Sequence, residues 1–297
     1  MKAIVFGING QDGFYLNQLL RENNIDVIGI SRNNQNWVNG DVGDYKFVEK
    51  LIKETQAMYI FHLAANSTTS HNAVFENHDS IVKGTLNILE ACYKCNKKSR
   101  IFISGSAVQF HNNGNPIDES TPFAPLSAYA VSRIASVFAC RYYRSLGLNV
   151  YVGYFFNHDS PLRSERHVNQ KIVSAVKRIA NGSREVLEIG SLSTKKEFNF
   201  AGDIIDAVWK LVNQDTIFEA VIGSGKAYSI EDWIKICFDE VQLDWKKYVI
   251  ENNDYISEYK MLVSNPSLIY SLGWEPKVGI LQLSKLMYEN LIYFSKK

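Results

Sequence analysis

The chain predicts an α/β fold: a Rossmann-type doubly wound parallel sheet followed by a smaller C-terminal mixed α/β domain. Three observations carry that expectation. Nearly continuous apolar runs alternate with amphipathic helical patterns through the first half, as in a parallel sheet covered on both faces. The first run, KAIVF, leads directly into glycines and then a helical pattern. The rhythm loosens after Asn157, where a second, mixed part of the chain begins.

Each element follows in order. KAIVF is the first strand, and Tyr15, Leu19 and Leu20 mark the helix behind it. IDVIGI is the second strand. Asp44 is placed to cap a helix running through Phe47, Leu51 and Ile52. MYIFHLA is a third or fourth strand, followed by a helix around Val82, Leu86 and Leu89. RIFISG, a helix from about Ala128 to Leu146, and NVYVGYFF continue the alternation. Right-handed crossovers between such strands give the doubly wound arrangement. Beyond Asn157, HDSPLRSERH is loop-like, VNQKIVSAVKRIA is helical and EVLEIG is a short strand. Asp203 starts a helix through Ile204, Ala207, Val208 and Leu211. Ser229 and Asp232 form a capping box ahead of IEDWIKICFDEV, and two more helices follow Asn265, separated by GWEPKV. The expected division is 1–157 for a dinucleotide-binding domain, with a returning segment near 198–226, and 158–297 mainly for a substrate domain. Ligand would bind in the crevice at the strands' carboxyl ends.

Composition removes several function classes. With 32 Lys and Arg against 31 Asp and Glu, no bulk charge favours a nucleic-acid or membrane partner. The N-terminus turns to glycine too early for a signal peptide. No apolar stretch reaches the roughly 18 residues of a membrane span. These features predict a soluble, cytoplasmic protein. Cys92, Cys95, Cys140 and Cys237 are too scattered for a disulfide framework. Cys92 and Cys95 form a CxxC at the end of a helical pattern, where the dipole gives a thiolate no help. No second pair completes a zinc site, and no histidine pair has ligand spacing, so no metal is expected.

The chemistry begins at GINGQDG, which sets Gly7, Gly10 and Gly13 around Gln11 and Asp12, between strand and helix. Glycine permits the tight turn and a close approach of backbone to a pyrophosphate, which then meets helix N-terminal N–H groups. The bland alternative is a tight turn alone. The second strand ends in Ser31 and Arg32, where an acid would favour NAD. A hydroxyl and a guanidinium suit a 2′-phosphate, so NADP is expected, with NAD possible; the competing reading is a solvated surface arginine. Asp41 and Val42 follow the presumed third strand, where an acid meets an adenine amino group. Leu63, Ala64 and Ala65 leave room for a cofactor across the fourth strand's end. Tyr129 and Arg133 are four apart on a helix and share a face. A phenol exchanges protons near neutrality only when its pKa falls from about 10, and a neighbouring cation favours that. The pair is YxxxK with arginine in the lysine place, and a guanidinium does not simply replace an ammonium.

These motifs make the chain resemble the extended short-chain dehydrogenase/reductases, and within them the GDP-mannose 4,6-dehydratase family. GINGQDGFYL is similar to that family's glycine loop, and FNHDSPLRSERHVNQKI to its nucleotide-sugar segment. GSLSTKKEFNFAGDIIDAVW, LDWKKYV and LGWEPKV extend the likeness almost end to end. The resemblance implies NADP in the first domain and a nucleotide-linked sugar, a GDP-hexose, in the second. It implies Asn157, Arg163, Val168, Lys171 and Lys196 as sugar-nucleotide contacts. The family dehydratase oxidises C4, eliminates water across C5–C6 and returns the hydride to C6.

The departures fall on the catalytic positions. Where the family has Ser-Thr-x-Glu and then Tyr-Gly, this chain reads Ser104, Gly105, Ser106, Ala107, Val108, Gln109, Phe110. Ser106 is left as a candidate hydroxyl, beside Tyr129 as acid/base and Arg133 as its cation. The family's proton-transferring glutamate is Ala107. An Arg-Asp pair becomes Lys196 and Glu197. Three functions follow: C4 redox or epimerisation; true dehydration with a substitute carboxylate such as Asp118 or Asp159; or a catalytically silent binder of NADP or a nucleotide sugar. The short segment NNQNWVNG, where the family has a long oligomerisation loop, favours a homodimer through helices near 77–95 and 128–146.

Overall fold

A computed structural model describes residues 1–32, 36–66 and 68–292. The segment NNQNWVNG and the stretch HLAANST therefore each lie partly outside the described residues.

The strand β1 (Lys2–Phe6) leads into α1 (Gln11–Glu22), then β2 (Asp26–Ser31), β3 (Val38–Asn39) and α2 (Tyr45–Thr55). Asp44 caps α2 by accepting from the N–H groups of Lys46 and Phe47, as its position predicts. After β4 (Tyr59–His62) come α3 (Val74–Asn77), a π-helical stretch His78–Lys83, α4 (Gly84–Cys95) and β5 (Arg100–Ser106). Then α5 (Ala128–Ser145) and β6 (Asn149–Phe155) follow. The second half begins with β7 (His158–Asp159), α6 (Val168–Ala180), β8 (Leu187–Ile189), β9 (Lys195–Glu197) and β10 (Asn199–Phe200). It continues with α7 (Ala201–Val212), β11 (Glu219–Ile222), β12 (Ala227–Ser229) and α8 (Ile230–Asp239). The last elements are β13 (Val249–Glu251), β14 (Met261–Leu262), α9 (Ser267–Ser271) and α10 (Ile280–Glu289).

Among the described residues, seven parallel strands form the central sheet, in the order β11-β6-β5-β4-β1-β2-β3. This is the doubly wound order, with β11 returning late in the chain to extend it beyond β6. Its switch point lies between β1 and β4, which opens a crevice at their carboxyl ends. Alternate strand residues feed two cores. Ala3 and Val5 join Leu16, Leu20, Ile204 and Val208 under α1 and α7. Ile4 and Phe6 join Val48, Ile88 and Val137 under α2, α4 and α5. Each of these side chains larger than Ala3, fully buried, contributes about 1.5–3 kcal/mol before chain entropy is counted.

Two local expectations need correction. The helical period places Leu86 on the inward stripe of its helix, but it is 41% exposed, and Thr85, Ile88, Leu89 and Cys92 face inward instead. The π-helical stretch just before α4 holds an extra residue in its turn and rotates the stripe. Asp203 does not start its helix. The helix begins at Ala201, and the Asp203 carboxylate accepts from the N–H groups of Lys277 and Val278, at 2.9 and 2.8 Å. It thereby docks GWEPKV onto α7. The capping box of Ser229 and Asp232 is present. Cys92 is buried with its thiol pKa pushed up by burial, and all four cysteines are free. No helix among the described residues is long and apolar enough to cross a membrane.

Candidate active site

The glycine loop is shaped by its neighbours. Gly7 adopts φ +90°, and a Cβ there would sit 2.6 Å from the Ala64 backbone nitrogen, so only glycine lets the turn pack on the end of β4. Gly10 donates its N–H to the Gly7 carbonyl at 3.0 Å and precedes α1 without any side-chain cap. The first turn of α1 thus keeps its N–H groups for a ligand. Gly7, Gly10, Gln11, Asp12, Gly13, Leu63 and Ala65 line one cavity of about 1150 Å³. Ala64 lies beneath it, against the Gly7 turn. The arrangement fits a nicotinamide dinucleotide: a glycine-tight turn, an uncapped helix start and small residues across the strand end.

The four residues expected at the adenosine end, Ser31, Arg32, Asp41 and Val42, lie outside the wall of this cavity. Ser31 accepts from Asn9 Nδ2 at 2.6 Å, and Asn9 does line the cavity. Arg32 is exposed and pairs with Glu76 at 3.2 Å. Asp41 accepts from the Gly43 N–H at 2.8 Å, closing a turn, and Val42 is buried.

The substrate half of the cavity is assembled from distant segments. Asn157, Arg163, Val168, Lys171 and Lys196 all line it, joined by Arg166 and His167, which sequence reasoning missed. Asp12 faces His158 Nε2 at 3.0 Å, and Gln11 Oε1 accepts from Ser160 Oγ at 2.8 Å. These contacts lock the glycine loop to β7 and its continuation. Burial works against the Asp12 charge, but His158 and Arg163 hold its pKa below the usual carboxylate range. Burial likewise opposes charge on His158, and Asp12 outweighs it to raise the imidazole. Lys196 is pushed down to about 8, by burial foremost, with Arg163 adding and Asp159 opposing.

Next to it, Glu197 is fully buried. One oxygen accepts from Ser264 N and Oγ, both at 2.6 Å, and the other from Ser224 N at 2.6 Å and Asn199 Nδ2 at 2.9 Å. Glu197 therefore serves the fold, while Lys196 faces the cavity.

The catalytic candidates come together. Ser127 caps α5, accepting from the Ala130 N–H, and so sets Tyr129 at the first turn, over the end of β5. Arg133 Nε donates to Tyr129 Oη at 3.1 Å, and its guanidinium sits 5.2 Å from the phenol ring centroid. Its NH1 donates to Ser104 O and, at 2.8 Å, to Ser104 Oγ. Tyr129, Arg133, Ser106 and Ala107 share the cavity wall. His62, at the end of β4, is buried with its pKa lowered to about 3, by burial first and Arg133 second.

The substitute carboxylates fare differently. Asp118 is not in the cavity; its Oδ1 accepts from Ser120 and Thr121 in its own loop. Its neighbour Glu119 holds the Val221 N–H on the outer strand β11. Asp159 is buried, accepting from Asn169 at 2.6 Å and facing Arg163 at 3.4 Å. Among the described residues, the acids that do line the cavity are Asp12, Glu188 and Glu258, the last accepting from Thr69 Oγ1 at 2.7 Å. No pattern in the sequence marked Glu188 or Glu258. Among the described residues no three His, Cys, Asp or Glu side chains gather as a metal site.

A doubly wound sheet with a glycine-loop cradle, opposite a Tyr/Arg pair and a cationic second half, defines an NAD(P)-dependent epimerase/dehydratase of the extended short-chain dehydrogenase/reductase class. The family model for GDP-mannose 4,6 dehydratase matches residues 4–287, and the chain belongs to that family. GDP-mannose 4,6 dehydratase 1 of Arabidopsis thaliana is 29% identical over 99% of this chain and 91% of its own length. Among solved structures, UDP-glucose 4-epimerase of Thermotoga maritima, with UDP-glucose, superposes with a TM-score of 0.87 at 19% identity, covering 97% of this chain and 98% of that one. RMD from Pseudomonas aeruginosa, complexed with NADPH, gives 0.83 at 20% identity over 97% and 96%.

Proposed function

We propose that this chain is a cytoplasmic, NADP-dependent enzyme that exchanges a hydride with C4 of a GDP-linked hexose. Its net reaction is reduction, oxidation or epimerisation rather than dehydration. One observation carries the reading: Tyr129, Arg133 and Ser106 face the same cavity as Ala107, whose methyl group cannot carry the proton that elimination requires. The GDP assignment is taken from the family and its named relatives.

In this reading Tyr129 Oη takes the proton of the C4 hydroxyl as the carbonyl forms and returns it on reversal. Arg133, already donating to that oxygen, stabilises the phenolate. Ser106 donates a hydrogen bond to the C4 oxygen. Arg163, Lys171 and Lys196 hold the diphosphate. The first turn of α1 would hold the pyrophosphate of the dinucleotide, and the bound nicotinamide supplies and takes back the hydride. Incubation with GDP-mannose and NADP, followed by mass analysis of the sugar, tests the reading. A product lighter by one water overturns it in favour of dehydration, and ligand-induced stabilisation without product favours a silent binder.

Residues 1–157 with the return near 198–226 act in this proposal as the cofactor domain, and the rest of 158–297 holds the sugar nucleotide. For NADP, Arg32 is the determinant: Arg32→Ala should weaken NADP binding about tenfold and leave NAD within about twofold, measured by calorimetry. Lys196 predicts a pH dependence. Its charge in the free protein is present below about 8 and lost above it, so affinity for GDP should fall from pH 7 to pH 9. Lys196→Met should bind more weakly and flatten that profile. A homodimer is also proposed: Leu86, Val131, Phe138 and Tyr142 are exposed apolar residues on α4 and α5. Phe138→Glu should sediment as a monomer where the native chain sediments as a dimer.

A further inference from the structure

Gln109 is a fully buried amide beside the cavity, and the catalytic reading leaves it without a task. Its position is unusual in three ways. Its Oε1 accepts from the Ser106 N–H at 2.6 Å, while the Ser106 hydroxyl oxygen accepts from the Gln109 backbone N–H. The two residues thus hold each other reciprocally across one short turn, Ala107–Gln109. The same Oε1 fills the space beside Gly105: a Cβ there would lie 3.0 Å from it and 2.7 Å from the Tyr154 ring. A side chain at 105 would collide first with the Tyr154 ring and would also press on the Gln109 oxygen.

We propose that Gln109 is the positioning residue for Ser106. It occupies the space beside Gly105 and fixes the neighbouring Ser106 hydroxyl as the donor to the sugar C4 oxygen. An oxygen that already accepts one N–H is held in place and keeps its own proton to give. Ser106 lines the cavity with Tyr129, and no protein acceptor takes its proton among the described residues. A hydroxyl free to rotate would need reorienting in each turnover; one held by the Gln109 backbone N–H, in a turn that the Gln109 side chain closes on the Ser106 N–H, needs less. This inference rests on the reading of Ser106 given under the proposed function.

The test is a double-mutant cycle on Ser106→Ala and Gln109→Met, following both cofactor reduction or oxidation and the configuration at the sugar C4 with a panel of GDP-hexoses, GDP-mannose first. Methionine is close to the glutamine in shape and removes the accepting oxygen. Ser106→Ala should lower kcat about 100-fold. Gln109→Met should lower it about tenfold with KM little changed. The double variant should be no slower than Ser106→Ala alone. Amide hydrogen exchange at Ser106 should quicken in Gln109→Met, independently of activity. If that variant fails to fold, Gln109→Asn, which withdraws the oxygen by one methylene, carries the same cycle. A Gln109 effect that persists in full on the Ser106→Ala background overturns the positioning role. A Ser106→Ala enzyme at the native rate, or no hydride transfer with any GDP-hexose, overturns the underlying reading and this assignment with it.

Discussion

Tyr129→Phe is expected to slow the proposed hydride exchange at C4 by about 10³-fold, or roughly 4 kcal/mol of barrier. The substitution removes one oxygen and leaves the ring, so the buried surface and the stacking under Arg133 persist. What disappears is the atom that receives the Arg133 Nε–H at 3.1 Å and that would take the sugar's proton. Binding of GDP-mannose and NADP should change little, because neither the diphosphate contacts nor the glycine loop involve that oxygen. Single-turnover measurements beside calorimetric affinities separate the two effects, and a Tyr129→Phe variant turning over at the native rate would sink the assignment.

Glu197→Ala carries the largest expected effect on stability. The carboxylate is the shared acceptor for Ser264, Ser224, Gly225 and Asn199. It ties β9 to the segment after β11 and to the segment after β14. Removing it strands several buried donors, each costing about 1–3 kcal/mol, for a total of about 4 kcal/mol once water and relaxation recover part. The unfolding midpoint should fall by about 10 °C in calorimetry. Glu197→Gln should be intermediate, since its amide keeps one acceptor oxygen but sets its NH2 against donors. A shift of less than a few degrees in Glu197→Ala would show that these contacts are replaceable by solvent.

Much of the fold is legible in the residues alone. Strand and helix order follow from periodicity, the Asp44 cap and the Ser229 box from residue types at fixed offsets, and Tyr129 with Arg133 from helical spacing. GINGQDG marks its turn because a tight, positive-φ approach to Ala64 admits only glycine. Each of these signals acts over a handful of residues, and backbone geometry alone enforces it.

What spacing and periodicity do not record has a different cause. Leu86 turned outward because a π-helical stretch shifted the phase, which no average period anticipates. Arg32 faces Glu76, 44 residues away, and Asp12 faces His158, 146 residues away. Gln109 and Tyr154 both crowd the space beside Gly105, and Tyr154 is there because β5 and β6 pair it with Gly105.

Local propensity and spacing decide the doubly wound fold class, the glycine-loop cradle and the phenol–cation pair, and all three are readable from the residues alone. Only the tertiary structure decided which charges find partners, that Lys196 faces the cavity while Glu197 serves the fold, and how Ser106 is held. Those outcomes depend on packing between segments far apart in the chain, where burial selects the partner and no local pattern records it.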